Sequence, residues 1–198
     1  MAQEKLDTKE RILKAANSLF YGEGIRAVSV DAVAHKAGIT KKTLYYHFQS
    51  KDDLVTEYLK SRDQPNMDAF QKWFDEAEGD LSQKVFEIFS NIAKSADHPK
   101  WRGCGFFRTA GELAHLPGHP AVKAGAAHKK RLEAWLAVIF TEKAINYPET
   151  LARRIVLLLD GAFASALIHR DPDYVLEAGR TAKVLIKNSS IETQSVAE

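Results

Sequence analysis

The chain has 198 residues, 45% of them hydrophobic and 27% charged, enough to bury a core and to join a small domain to a larger one. A formal net charge of +2 does not argue for a polyanionic partner by itself, a single cysteine excludes an internal disulfide, and no apolar run is long enough to span a membrane. The polar start from Met1 to Lys5 does not read as a secretory leader, so the expectation is a cytoplasmic protein. The charge is unevenly placed: residues 1–51 hold nine Lys or Arg against five Asp or Glu, a surplus of +4, and the rest carries −2.

The first helix is expected to be capped by Asp7 or Thr8, with Glu10 placed to answer Asp7. Ile12, Leu13, Ala16, Leu19 and Phe20 form its apolar stripe, and Gly22 and Gly24 end it. Lys9 and Arg11, near its start, read either as leaning on a nucleic-acid backbone or as solvated surface charges. Ser29 caps a second helix with Val30, Val33, Ala34 and Ala37 on its inner face, and Gly38 stops it in a sharp turn that Ile39 plugs. Thr40 then caps a third helix of about two turns, in which Leu44 and Phe48 point inward. Its other directions are lysines, hydroxyls and tyrosines, groups that meet phosphate oxygens and base edges in the major groove of DNA. This is a helix-turn-helix with a recognition helix. Ser50 and Asp53 form a capping-box pattern that starts the next helix and holds Lys51 beside its first turn.

Preceded by RILKAANSLFYGEG and followed by KDDL, the stretch from Ser29 to Leu54 resembles the N-terminal domain of the TetR/AcrR family of one-component transcription regulators. The likeness lies in the helix order, the AG-turn, the LYYHF segment and the SKDDL helix start. It implies an all-α fold of about nine helices, with a three-helix DNA-binding domain over 1–52 and a larger helical ligand-binding and dimerisation domain over 53–188. The polar tail, 189–198, reads as disordered. In the resembled family the helix after Ser50 links head to body, and its tilt would convert ligand occupancy into the spacing of two recognition helices.

That helix is expected to run through Leu54, Val55, Tyr58 and Leu59 towards Arg62 and to be interrupted by Pro65. A short separate helix from Asn66 to Ala77 would follow, with Phe70, Trp73 and Phe74 on one face. Helical period then continues from Leu81 to Asp97, from about Cys104 to the LPGHP break, from Pro120 to about Lys143, from Glu149 to Arg170, and on from the DPDY turn. Small residues on the last two helices, Gly161, Ser165, Ala178, Gly179 and Ala182, are expected to form a four-helix interface with a second copy; the alternative is ordinary core of a monomer.

Lys41, Tyr45, Tyr46 and His47 are the expected base and phosphate contacts, with Thr40, Lys42, Thr43 and Lys51 mainly on phosphates. Thr40 and Thr43 read equally as helix-start residues. The resemblance implies an effector pocket in the body without choosing its walls; Phe70, Trp73, Phe74, Phe86, Phe89, Phe106, Phe107, Trp135, Ile139 and Phe163 are the apolar candidates, and Arg108, Thr109, Glu112, His128 and His169 the polar ones. Cys104, at a helix start near Arg102 and Arg108, is either a reactive sensor thiol or a small buried residue. His115 and His119 enclose LPG at metal-like spacing but lack companion ligands, so no metal and no cofactor are expected. With no nucleophile elbow, phosphate-cradling glycine loop or HExxH pair, the chain does not read as an enzyme. The expectation is a homodimeric regulator, most often a repressor, that binds a partly palindromic double-stranded operator and is released by a small apolar or aromatic effector. The alternatives are a redox or electrophile sensor acting through Cys104, and a helical small-molecule-binding protein or enzyme without specific DNA binding.

Overall fold

Asp7 opens the first helix as a reciprocal capping box: its carboxylate accepts the Glu10 N–H at 2.7 Å, and the Glu10 carboxylate accepts the Asp7 N–H at 3.0 Å. The computed structural model describes residues 7–191, and among these the chain forms nine helices and no strand. Residues 192–198 of the expected tail lie outside the described residues.

Helix α1 (Thr8–Glu23) buries Ile12, Ala15, Ala16 and Phe20 and stops at Gly24, whose φ of 93° favours glycine. Ser29 caps α2 (Val30–Ala37) by accepting the Ala32 N–H at 3.1 Å, and Gly38 ends it in the left-handed region. α3 (Lys41–His47) follows at once, and α4 (Lys51–Asp75) begins where Ser50 Oγ accepts the Asp53 N–H at 3.0 Å. The return bond of this box comes from the Gln49 N–H, 2.9 Å from the Asp53 carboxylate.

Pro65 does not interrupt α4, which is one helix of 25 residues. A proline in a helix interior costs about 3 kcal/mol, whereas each large apolar side chain fully buried returns about 1.5–3 kcal/mol. Leu54, Val55, Tyr58 and Leu59 are buried before it and Met67 and Phe70 after it, and Pro65 itself is exposed, so continuity wins.

The remaining helices are α5 (Leu81–Ala96), α6 (Gly105–Glu112), α7 (Pro120–Glu142), α8 (Pro148–His169) and α9 (Asp173–Ile191). α9 takes in the first three residues of the expected tail, 189–191. The chain divides into two compact units, one made of residues up to Gln64 together with Gly105–Ala126, the other of Pro65–Cys104 and the chain from Ala127 onward. In the first, α1 packs on α2 and α2 on α3. In the second, α5 and α8 pack on α9, and Leu132, Leu136 and Phe140 of α7 join their core.

The small residues of the last two helices have different duties. A Cβ on Gly179 would lie 2.8 Å from the Phe89 Cβ of α5, and Ala182 is fully buried in the core of the same chain; Ala178 packs against that core as well. Gly161 instead opens onto free space, and Ser165 is half-buried. Gly179→Val is therefore expected to lower stability by about 1–3 kcal/mol through overpacking, measured by urea denaturation monitored by circular dichroism. An unchanged midpoint would show that α9 packs elsewhere.

Candidate nucleic-acid interface

A helix of seven residues is held in place here by its two ends and one inner face. Thr40 Oγ1 accepts the Thr43 N–H at 3.1 Å, and the two threonine hydroxyls share a hydrogen bond at 2.9 Å, so both residues serve the helix start. Leu44 is fully buried, and Phe48, buried just past the last turn, donates its N–H to the Leu44 carbonyl at 3.0 Å. The turn before α3 is held by α1: Arg11 Nη2 donates to the Ala37 carbonyl at 2.7 Å and to the Gly38 carbonyl at 3.2 Å. Arg11 is thus engaged within the protein. Lys9 sits 3.9 Å from the Glu57 carboxylate and over the Phe48 ring.

What remains on α3 faces outward. Tyr46 is 85% exposed, Tyr45 is 45% exposed, and Lys42 is exposed beside them. Tyr46 meets the half-buried His47 edge-on at 5.2 Å. Lys41 is exposed but not idle: its Nζ donates to Asp31 Oδ2 at 2.9 Å, and that hydrogen bond raises its pKa. A phosphate approaching Lys41 would exchange with a carboxylate on α2. Lys51 lies half-buried at the start of α4, where burial pushes its pKa down while Asp52 and Glu112 pull the other way.

Two residues from far along the chain complete this unit, and sequence reasoning set both aside as ligand-orienting groups. Arg108 Nη1 donates to the Tyr21 carbonyl at 2.7 Å, and the Glu112 carboxylate accepts the Arg26 N–H at 2.9 Å. Together they hold the connection between α1 and α2. Only their pairing with partners more than 80 residues away reveals this, and no local signal carries it.

The expected pocket residues are divided between the two units. Phe89 and Phe70 are core; Phe86 packs on Gly179 and under Lys183. Phe106 and Phe107 sit on α6 in the first unit, Phe106 buried against Gly125 and Phe107 turned to the surface. In the second unit Phe74 meets Trp135 edge-on at 5.7 Å and Phe163 stacks on Trp101 at 6.2 Å, while Ile139 is half-buried against the core. Trp73 lines a cavity of about 380 Å³ with Glu76, Glu78, Gln83, Glu87 and Asn91, a more acidic surround than an apolar ligand calls for. Of the polar candidates, Thr109 and His128 are buried, and His169 stacks on Tyr174.

Cys104 is half-buried just before α6. His115 is exposed, whereas His119 is buried, its Nδ1 accepting the Ala121 N–H at 3.1 Å and its Nε2 lying 3.3 Å from Asp52 Oδ2. The two histidines do not converge, and among the described residues no group of three metal-ligating side chains comes together.

Comparison with known proteins decides the family. Residues 12–58 match the model of the bacterial regulatory proteins, tetR family. The fold resembles that of SCO4454, a TetR-family transcriptional regulator from Streptomyces coelicolor, with a TM-score of 0.81 and 27% identity over 92% of this chain and 96% of that one. Residues 12–58 are a TetR-family DNA-binding head, and the chain as a whole shares the fold of TetR-family transcriptional regulators. It is 36% identical over 64 residues to the HTH-type transcriptional regulator TtgW of Pseudomonas putida, covering 32% of this chain and 48% of that protein. To the HTH-type transcriptional repressor KstR2 of Mycolicibacterium smegmatis it is 25% identical over 131 residues, 66% of this chain and 62% of that one. The matches thus span less than two thirds of these curated relatives.

For this TetR-family head, the direction of the Lys51 shift fixes a pH dependence. Burial disfavours the ammonium in the folded state, so Lys51 costs stability at neutral pH, and that cost fades as pH rises through its lowered folded value towards the ordinary 10.5. Lys51→Met is expected to be at least as stable as the parent at pH 7, with the difference closing above 10.5. Denaturation curves at neutral and alkaline pH check the sign; a variant less stable at pH 7 contradicts it.

Proposed function

We propose that the protein is a DNA-binding transcriptional regulator, acting as a homodimeric repressor that a small apolar or aromatic effector releases from a partly palindromic operator. The observation that carries this reading is the outer face of α3. Tyr46, Tyr45 and Lys42 stand exposed on a helix whose caps, inner face and preceding turn are all tied down, so the groups that would meet DNA are presented on a fixed frame. Lys41 would join them by trading Asp31 for a phosphate, and Lys51 would neutralise another phosphate beside α4.

A head this small reads only a half-site, and two half-sites on one face of a duplex lie about 34 Å apart, so pairing is required. Leu157, Gly161 and Ile168 recur on one outward face of α8, and Val184 is exposed on α9. An apolar stripe of this kind supports an isologous contact with a second copy. Gly161 and Ser165 stay in that interface, while Gly179 and Ala182 leave it. The effector would enter among the half-buried aromatics of the second unit, Trp73, Phe74, Trp135 and Phe163. α4 belongs to both units as one helix, which makes it the natural carrier of the linkage: an effector that favours one arrangement of the heads must lower operator affinity, and operator must lower effector affinity by the same factor.

Binding of selected genomic fragments tests the reading. Tyr46→Ala is expected to weaken the selected duplex far more than a random one, and Lys51→Ala to weaken both alike and flatten the salt slope by about one unit. A Lys51→Ala protein with unchanged affinity and slope would remove the phosphate assignment. Leu157→Glu with Ile168→Glu is expected to give a folded monomer by sedimentation that no longer holds the selected duplex at nanomolar concentration; a dimer that persists places the interface elsewhere.

A further inference from the structure

Between Gly38, the last residue of the turn, and Lys41, the first of α3, stand only Ile39 and Thr40. Wherever the end of α2 points, α3 must begin. That end is fastened from outside the motif. The Gly38 N–H turns back to the His35 carbonyl and the Ile39 N–H to the Ala34 carbonyl, each at 3.0 Å. The carbonyls of Ala37 and Gly38 are taken by one guanidinium nitrogen of Arg11, at 2.7 and 3.2 Å, from a helix 26 residues earlier. A cation at the carbonyl end of α2 is also favoured by the helix dipole. The fit is close, since a Cβ on Gly38 would sit 3.2 Å from Arg11 Nη2.

The apolar contacts of α3 do not fix its direction as strictly. Leu44 and Phe48 anchor it on one side only, so the direction in which the exposed tyrosines point depends also on the turn that precedes them. We infer that Arg11 is a positioning residue for sequence recognition: by clamping the Ala37 and Gly38 carbonyls to α1 it sets the orientation in which α3 enters the groove, and it does not itself contact the DNA backbone. This rests on the DNA-binding reading above. Lysine at this position keeps the charge but lacks the rigid planar guanidinium that aims the two N–H bonds of Nη2 at two neighbouring carbonyls.

The test uses the full-length protein, a duplex selected from genomic fragments, a random duplex of the same length and a salt series. Arg11→Lys is expected to lose about tenfold in affinity for the selected duplex, with affinity for the random duplex and both salt slopes unchanged; Arg11→Met is expected to lose more. Amide exchange in the free variants is expected to quicken at Ile39 and Leu44 and not at the middle of α1. If both duplexes weaken together and the slope falls by about one unit, Arg11 is a phosphate contact and the inference is overturned. Discrimination equal to that of the parent, once corrected for the folded fraction, overturns it equally. A parent protein with no preference for any selected duplex refutes the DNA-binding reading; the exchange at Ile39 and Leu44 then still decides whether Arg11 orders the turn, and unchanged exchange refutes that too.

Discussion

A seven-residue helix does not persist in water by itself, because nucleation is unfavourable and isolated helices below about 12–15 residues are marginal. α3 exists because Leu44 and Phe48 are sunk into the core of the first unit and because Thr40 supplies the hydrogen bond its first turn lacks. This anchoring divides the labour within the helix. Two side chains and a cap carry its folding, so the remaining positions are free to be tyrosine, lysine and histidine, residues with little to offer a core.

The same unit recruits α6 from more than 80 residues away. Arg108 grips the last turn of α1 and Glu112 the connection that follows it, and Glu112 also lies near enough to Lys51 to act on its charge. The DNA-binding end of the chain is therefore not a detachable first quarter of the sequence. Its electrostatics are set in part by a helix that a linear division assigns to the body.

Local signals were legible and long-range ones were not. Asp7 with Glu10, Ser29, Gly38 and Thr40 each act within a few residues, and the structure uses each as a cap or a stop. The outward face of α3 followed from helical period alone. Pro65 misled because its local cost is real but smaller than the burial on either side of it. Gly179 and Ala182 misled for a different reason: a small side chain shows that something packs closely, not whether the neighbour belongs to another copy or to the same chain. Phe89 and Phe70 are alike in sequence to any pocket aromatic, and only their burial shows that they are core. Arg11 was visible as a charge, but its partners lie 26 and 27 residues away.

Pro65 has one more consequence. It stands at the boundary between the two compact units and has no N–H to offer the Ser61 carbonyl four residues back. Flexing α4 at that place breaks no rung of the backbone ladder, since the rung was never there.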